Sequence, residues 1–298
     1  MKNMPFDLPG QFYKGNLHTH SSNSDGAHSP EEVMRRYREA GYDFLSLTEH
    51  FMEFFDYPIS DTRHLRTDNF TPIIAVELHT GTIRTGREWH ILAVGMPLDF
   101  APTGKDETIH QLSQRAADAG AFIGICHPSW YGLTLEEGME IDCAHSVEIY
   151  NHGSHVEMDR GIDVPFWDQM LNEGRKLSGY ATDDAHLLTH DCFGGWMHVK
   201  SESRDPEALV EAMKAGHYYS SQGPEIHDME IKGDELRITC SPAAHISIQG
   251  YGSLAKFELG NGLIEASFDI TEFKEGYLRA TVVDASGKHA WSNPVWFD

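Results

Sequence analysis

One short apolar run after another in this 298-residue chain ends in a histidine or an acid. Leu17-His18-Thr19-His20 closes the first, and Phe44-Leu45-Ser46-Leu47-Thr48 leads into Glu49-His50. Ile73-Ile74-Ala75-Val76 leads into Glu77, Phe122-Ile123-Gly124-Ile125-Cys126 into His127, and Ser178-Gly179-Tyr180-Ala181-Thr182 into Asp183-Asp184-Ala185-His186. A further run opens, rather than ends, with such a residue: His90 precedes Ile91-Leu92-Ala93-Val94. Core histidines would be scattered along strand interiors. Five strand ends of one chemical character must converge, as they do at the C-terminal mouth of strand–helix barrels.

The rest of the pattern up to about residue 222 agrees, because strand-like and helical periods alternate there. Strands are expected at 15–19, 42–48, 72–78, 89–94, 121–126, 146–150, 176–181 and 196–200, with helices at 30–40, 106–119, 164–172 and 206–215. The first helix has Ser29 as its cap, Pro30 at its first position and Glu32 three residues after the cap. Glycines 120, 174 and 216 follow the other three and suit a left-handed stop. Beyond Ser220-Ser221-Gln222-Gly223-Pro224 only strand-like segments remain, at 235–240, 245–249, 263–270, 277–283 and 290–295. The expected organisation is an α/β unit over residues 1–222 and a small antiparallel β-sheet or sandwich domain over 223–298.

Charge narrows the partners. With 23 Lys+Arg against 46 Asp+Glu the net charge is −23, which repels long nucleic acid and anionic membranes, though not a small anion whose charge bound cations would offset. Four cysteines without a C-x-x-C pair point to a reducing compartment and away from a cysteine zinc cage. With no apolar signal segment and no long apolar stretch, a soluble, cytoplasmic protein is expected.

Alternation along a strand puts His18 and His20 on one side and Thr19 on the other, so the two imidazoles can grip one ion. Asp25, before the turn residue Gly26, sits on the loop above them. Imidazoles and carboxylates without thiolate suit zinc, iron or manganese in a mixed nitrogen/oxygen site.

The stretches NLHTHSSNSDG (16–26), LSLTEH (45–50), VELH (76–79), WHILAVG (89–95), CHP (126–128) and TDDAH (182–186) resemble, in order, the motifs of the polymerase-and-histidinol-phosphatase (PHP) superfamily of metallohydrolases. GTIRTGREWHILAVG, VEIYN, MKAGHYYSSQGP and the β-rich tail look like its carbaryl-hydrolase-like (CehA/McbA) branch. The resemblance implies a distorted (β/α)7 PHP barrel holding two or three divalent metal ions. It implies one ion held by His18, His20, Glu77 and Asp184. Glu77 would bridge to a second with His90 and His127, and a third would sit with Asp25, His50 and His186. It also implies a phosphoesterase in which a metal-bridging hydroxide attacks a small phosphomonoester or phosphodiester, possibly nucleotide-like. The same site in an amide, carbamate or ester hydrolase, or in a non-catalytic binding module, are the alternatives. The chain departs from the family at Glu49, where Asp is usual; Glu49 and Asp183 are expected to support ligands rather than bind metal.

Around the site, His152 is a candidate general acid and Asn151 a candidate substrate contact. Trp130 could wall an organic leaving group, and Arg84, Arg87 or Arg160 could hold a phosphate oxygen. His79 lies off the ligand register, and Cys126 alternates away from the site and is expected to pack.

Overall fold

The computed structural model describes residues 4–297. Its first half contains β1 (Gln11–Asn16), α1 (Pro30–Glu39), β2 (Phe44–Phe51), β3 (Thr71–Leu78), β4 (Ile91–Val94), α2 (Ile109–Asp118) and β5 (Phe122–Ile125). Then come α3 (Pro128–Tyr131), α4 (Leu135–Met139), β6 (Ser146–Asn151), α5 (His152–Met158), α6 (Val164–Asn172), β7 (Ser178–Thr182), β8 (Trp196–Ser201), α7 (Pro206–Lys214) and β9 (Tyr218–Ser221). From there the chain is strand and one short 3₁₀ turn: β10 (Ile226–Lys232), β11 (Glu235–Gly250), β12 (Ala255–Asp269), β13 (Tyr277–Val283), β14 (His289–Ser292) and β15 (Val295–Trp296).

Local chemistry sets the helix limits. The Ser29 hydroxyl accepts the Glu32 amide at the start of α1, and Gly41 takes φ 82° just past its end. The buried face of α1, Val33, Met34 and Tyr37, packs with Leu45, Leu47 and Phe70, so the helix covers β2. For α2 the expected start at 106 is three residues early. Thr108 and Gln111 form a reciprocal capping box that fixes the first turn at Ile109. The short helices α3, α4 and α5 were not expected from the periodicity, which single turns are too short to display.

The strands lie in one sheet of order β10-β11-β13-β14-β9-β8-β1-β2-β3-β4-β5-β6-β7, with β12 on β11 and β15 on β13. Two features set this sheet apart from a closed (β/α)7 barrel and show where the expected distorted barrel is open. First, β4 runs antiparallel to both β3 and β5, and β8 antiparallel to β1. Second, no ladder joins β7 back to β8. Instead the Ser220 hydroxyl accepts the Ala181 amide at 3.1 Å and donates to the Gly179 carbonyl at 2.9 Å, so a side chain satisfies the backbone there. In the tail, the two strands expected at 235–240 and 245–249 are one strand, β11, whose register shifts between Thr239 and His245. Pro242 lies in that interval, and a residue without an N–H is tolerated in a strand at such an irregularity. Pairing of β14 with β9 makes the sheet continuous across residue 222. No helix among the described residues is long and apolar enough to cross a membrane, and all four cysteines are free.

Candidate metal centre

The reversal of β4 explains why His90 opens its strand. In the antiparallel pair Leu78 lies opposite Ile91, so the start of β4 sits beside the end of β3, where Glu77 is. The first strand lies earlier than the expected 15–19 and stops at Asn16; the Asn16 side chain accepts the His18 amide at 3.0 Å. Residues 18–20 continue extended, wedged between β2 and the segment after β7. The Thr48 amide bonds the Thr19 carbonyl, and the His20 amide bonds the Ala185 carbonyl. His18 and His20 thus share a side, while the Thr19 hydroxyl turns to the Ser46 carbonyl.

Glu77 is fully buried and lies at the centre of the cluster. His90 Nδ1 is 2.7 Å and His127 Nε2 3.3 Å from its Oε1. Around Oε2 stand His50 Nδ1 at 2.9 Å, His18 Nε2 and His79 Nε2 at 3.6 Å, and His20 Nε2 at 3.7 Å. Asp184 Oδ1 lies 3.1 Å from His20 Nε2 and 3.2 Å from His18 Nε2. Asp25 reaches His50 Nε2 at 3.2 Å and His186 Nε2 at 3.4 Å. His127 and Asp184 hold φ of 23° and 55°, conformations that non-glycine residues adopt at a cost and that persist where surroundings enforce them.

Electrostatics in the cluster is tightly coupled. Burial pulls His50 and His186 down, yet the Glu77 and Asp25 carboxylates on His50, and Asp25 with Asp184 on His186, raise them to about 10 and about 9. Burial takes His20, next to His186 and His50, and His90 down to about 3. Against burial, the carboxylates Asp184, Glu148 and Glu77 also raise His18 and His127, so protons on several imidazoles do the balancing that a cation would do. Buried polar atoms without a hydrogen-bond partner include His18 Nε2, His20 Nδ1, His127 Nδ1 and Glu77 Oε2. Such atoms are rare in folded proteins, and an ion held here would satisfy them. Among the described residues, four groups have ligand atoms within 4.8 Å of one another: His18, His20 and Asp184; His20, Asp25, His50 and His186; His50, Glu77, His79 and His90; and His18, Glu77, Cys126 and His127. This donor set fits divalent metal ions.

Residues 16–154 match the PHP domain family. The chain carries a PHP domain. No curated protein matches the sequence. Among solved structures, a two-domain protein of Bacteroides vulgatus containing a predicted PHP-like metal-dependent phosphoesterase is similar over 99% of this chain and 98% of its own, with 15% identity and a TM-score of 0.56. That likeness is one of fold and extends through the β-rich tail. An amidohydrolase of Chromobacterium violaceum is similar over 59% of this chain and 89% of its own, with 15% identity and a TM-score of 0.47. The PHP domain match takes in His18, His20, Asp25, His50, Glu77, His90 and His127; Asp184 and His186 come to the cluster from beyond it, at the end of β7.

Support beneath the PHP domain cluster is dense. Glu49 is buried and accepts from the hydroxyls of Ser21, Ser24 and Ser60 and from the Ser21 amide, which ties down the loop that carries Asp25. Asp183 accepts the Tyr37 hydroxyl at 2.7 Å and the amides of Phe193, Gly194 and Gly195. Burial raises it to about 6. Replacing Glu49 with Gln should leave the protein folded and weaken metal binding about 10-fold, a typical cost of losing a supporting partner. Metal titration of both proteins by calorimetry measures this, and equal affinity would show that the loop needs no carboxylate.

The cleft above the cluster has a volume of about 410 Å³ and is lined by Asp25, His50, His90, His127, Asp184 and His186, with Trp130, Met158 and Leu187 as apolar wall. The structure places five of the expected residues outside this lining. The His152 ring packs on Gly194 and bonds the Tyr150 hydroxyl at 2.9 Å, and it is not part of the lining. Asn151 is buried, its amide donating to Glu148 and Asp184. Arg84 and Arg87 lie exposed on the Thr82–Glu88 turn. Arg160 bonds the Trp130 carbonyl from outside the lining. Among the described residues no Lys or Arg lines this cleft.

His79 was missed although it obeys the rule applied to His18 and His20: two residues after Glu77, it falls on the same side. It is 3% exposed, with Nε2 2.9 Å from His50 Nδ1. Glu148 was missed as well, and its signal was a lone acid between the apolar residues Val147 and Ile149. Cys126 packs as expected. Burial and the Glu77 and Glu148 carboxylates hold its thiol well above the usual range, which disfavours the thiolate a metal needs.

Proposed function

We propose that the chain is a metal-dependent phosphoesterase acting on a small phosphomonoester or phosphodiester with two or three ions of manganese, iron or zinc. The observation that carries this reading is six imidazoles within 3.7 Å of the buried Glu77 carboxylate at the floor of an open cleft. His18, His20, Glu77 and Asp184 would hold one ion, Glu77 with His90 and His127 a second, and Asp25, His50 and His186 a third. Bound there, the ions would polarise the ester and make water acidic enough to attack at neutral pH. The protein's own part is to keep these donors neutral or anionic and fixed, and to hold the organic portion of the ester against Trp130, Met158 and Leu187. With no Lys or Arg in the lining, anion neutralisation would fall to the ions, which favours a substrate with few phosphates. We further place the chain in the carbaryl-hydrolase-like branch, supported by the VEIYN segment, whose Glu148 and Asn151 lie beneath the cluster. Division at residue 222 belongs to the same proposal, with β9 and β14 pairing across it.

The cation-poor, partly apolar lining also suits the second reading, an amide, carbamate or ester hydrolase. Metal-loaded protein assayed on nitrophenyl phosphate, bis(nitrophenyl) phosphate, nitrophenyl acetate and a nitrophenyl carbamate separates the two. Turnover of the phosphate esters that stops with chelator is expected. Turnover confined to the carbon esters would replace the phosphoesterase reading with the second one.

A further inference from the structure

We propose that Glu148, which is not one of the nine candidate ligands, is a positioning residue that sets how His18, His127 and Asp184 face the metal. The inference rests on the metal-dependent reading above. Glu148 projects from β6 between Val147 and Ile149, all three with no exposed surface. A carboxylate is almost never buried so completely without partners that need it.

Its partners converge from three other segments and from the end of its own strand. Oε1 lies 3.1 Å from His18 Nδ1 and accepts the Thr182 hydroxyl at the end of β7. Oε2 accepts the main-chain N–H of His127 at 2.7 Å and the Asn151 side-chain amide at 3.1 Å. That same amide reaches Asp184 Oδ2 at 3.0 Å, so Asp184 is tied to Glu148 through one side chain. No Lys or Arg is among these partners, so the carboxylate faces the His18 ring and neutral donors.

The consequence for His18 is directional. A carboxylate facing His18 Nδ1 favours the ring proton on that nitrogen. Nε2 is then the nitrogen available to an ion, and in the structure it is buried, without a hydrogen bond, 3.2 Å from Asp184 Oδ1 and 3.6 Å from Glu77 Oε2. It points where an ion would sit. A carboxylate behind a ligating imidazole fixes the ring and raises its basicity. For His127 the control is through the backbone: the amide held by Glu148 belongs to the residue with φ 23°, and that turn aims its Nε2 at Glu77 Oε1.

The test compares parent, Glu148→Gln and Glu148→Asp by zinc competition against a chromophoric chelator, with thermal unfolding of each metal-free protein alongside. Both variants should fold and bind zinc ~10–100-fold more weakly, the usual cost of losing such a partner. Glu148→Asp should recover part of the loss by keeping the charge. Parent-like zinc affinity in Glu148→Gln would overturn the proposal. A second measurement needs no variant: histidine ring nitrogen–proton correlation spectra of zinc-loaded parent should show His18 protonated at Nδ1 and metallated at Nε2. The opposite tautomer would overturn the proposal even if Glu148→Gln fails to fold. Absence of zinc from the parent itself would overturn the functional reading, and this inference with it.

Discussion

Glu77→Gln should abolish measurable turnover on the best phosphoester and strip at least one ion from the protein, while the chain still folds. The substitution keeps volume and shape, so the core around β3 has no cavity to absorb. What changes is charge and donor count. In place of an acceptor facing six imidazoles, the amide would present two N–H donors to rings that are themselves required to offer lone pairs. His50 and His90, at 2.9 and 2.7 Å, would be the first to be forced out of place. Losing a supporting partner of a ligand costs ~10–100-fold, and removing a shared ligand should cost more. Steady-state kcat/KM and metal content by mass spectrometry read the two effects. Parent-like activity in folded Glu77→Gln would remove Glu77 from the centre of the site.

Why the cluster was so visible in the sequence, and its surroundings so much less so, has a physical answer. Ligands at strand ends announce themselves because apolar runs are bounded and the residue types are few. His18, Glu77, His127 and Asp184 could each be placed on the page by counting from the end of a run, and His90 by its position at the start of one. Groups that act through the backbone or across the barrel leave no such mark. His152 follows Tyr150-Asn151 as a ligand would, but the α5 turn begins at that point and swings its ring onto Gly194. Arg84, Arg87 and Arg160 are near ligands along the chain, and chain proximity does not decide which side of a turn faces the cleft. Strand direction was equally hidden: nothing in Ile91-Leu92-Ala93-Val94 distinguishes a parallel from an antiparallel neighbour, because all four side chains are buried either way. The break between β7 and β8 depends on the hydroxyl of Ser220, a residue that reads as an ordinary turn. His79 and Glu148 are different, since each carried a signal that was available. One sits in phase with Glu77, and the other is an acid inside an apolar strand.

Stripping the metal should make thermal stability respond to pH in the opposite sense from the metal-loaded protein. In the metal-free structure His50 is raised to about 10 and His186 to about 9, each held up by carboxylates against the effect of burial. In the unfolded chain both titrate near ~6.5. A group whose folded value is the higher one stabilises fully below its unfolded pKa, and that stabilisation is lost as pH rises through the folded value. Metal-free protein should therefore weaken between about pH 7 and 10. Asp25, Glu77 and Asp184, all held well below the usual carboxylate range, stay ionised across this window and do not change the sign. Metal binding runs the other way, because each ligating imidazole must give up its proton, so affinity climbs over the same interval. Ligand binding to the folded state adds ~2.7 kcal/mol at 100 times Kd and ~4.1 kcal/mol at 1,000 times Kd. The difference in melting temperature between zinc- or manganese-loaded and chelated protein should thus widen steadily from pH 6.5 to pH 9. Below about pH 6 it should shrink toward zero as protons outcompete the ions. Scanning calorimetry at four pH values with and without chelator is sufficient. A difference that stays constant with pH would mean that the ions bind somewhere other than this set of histidines.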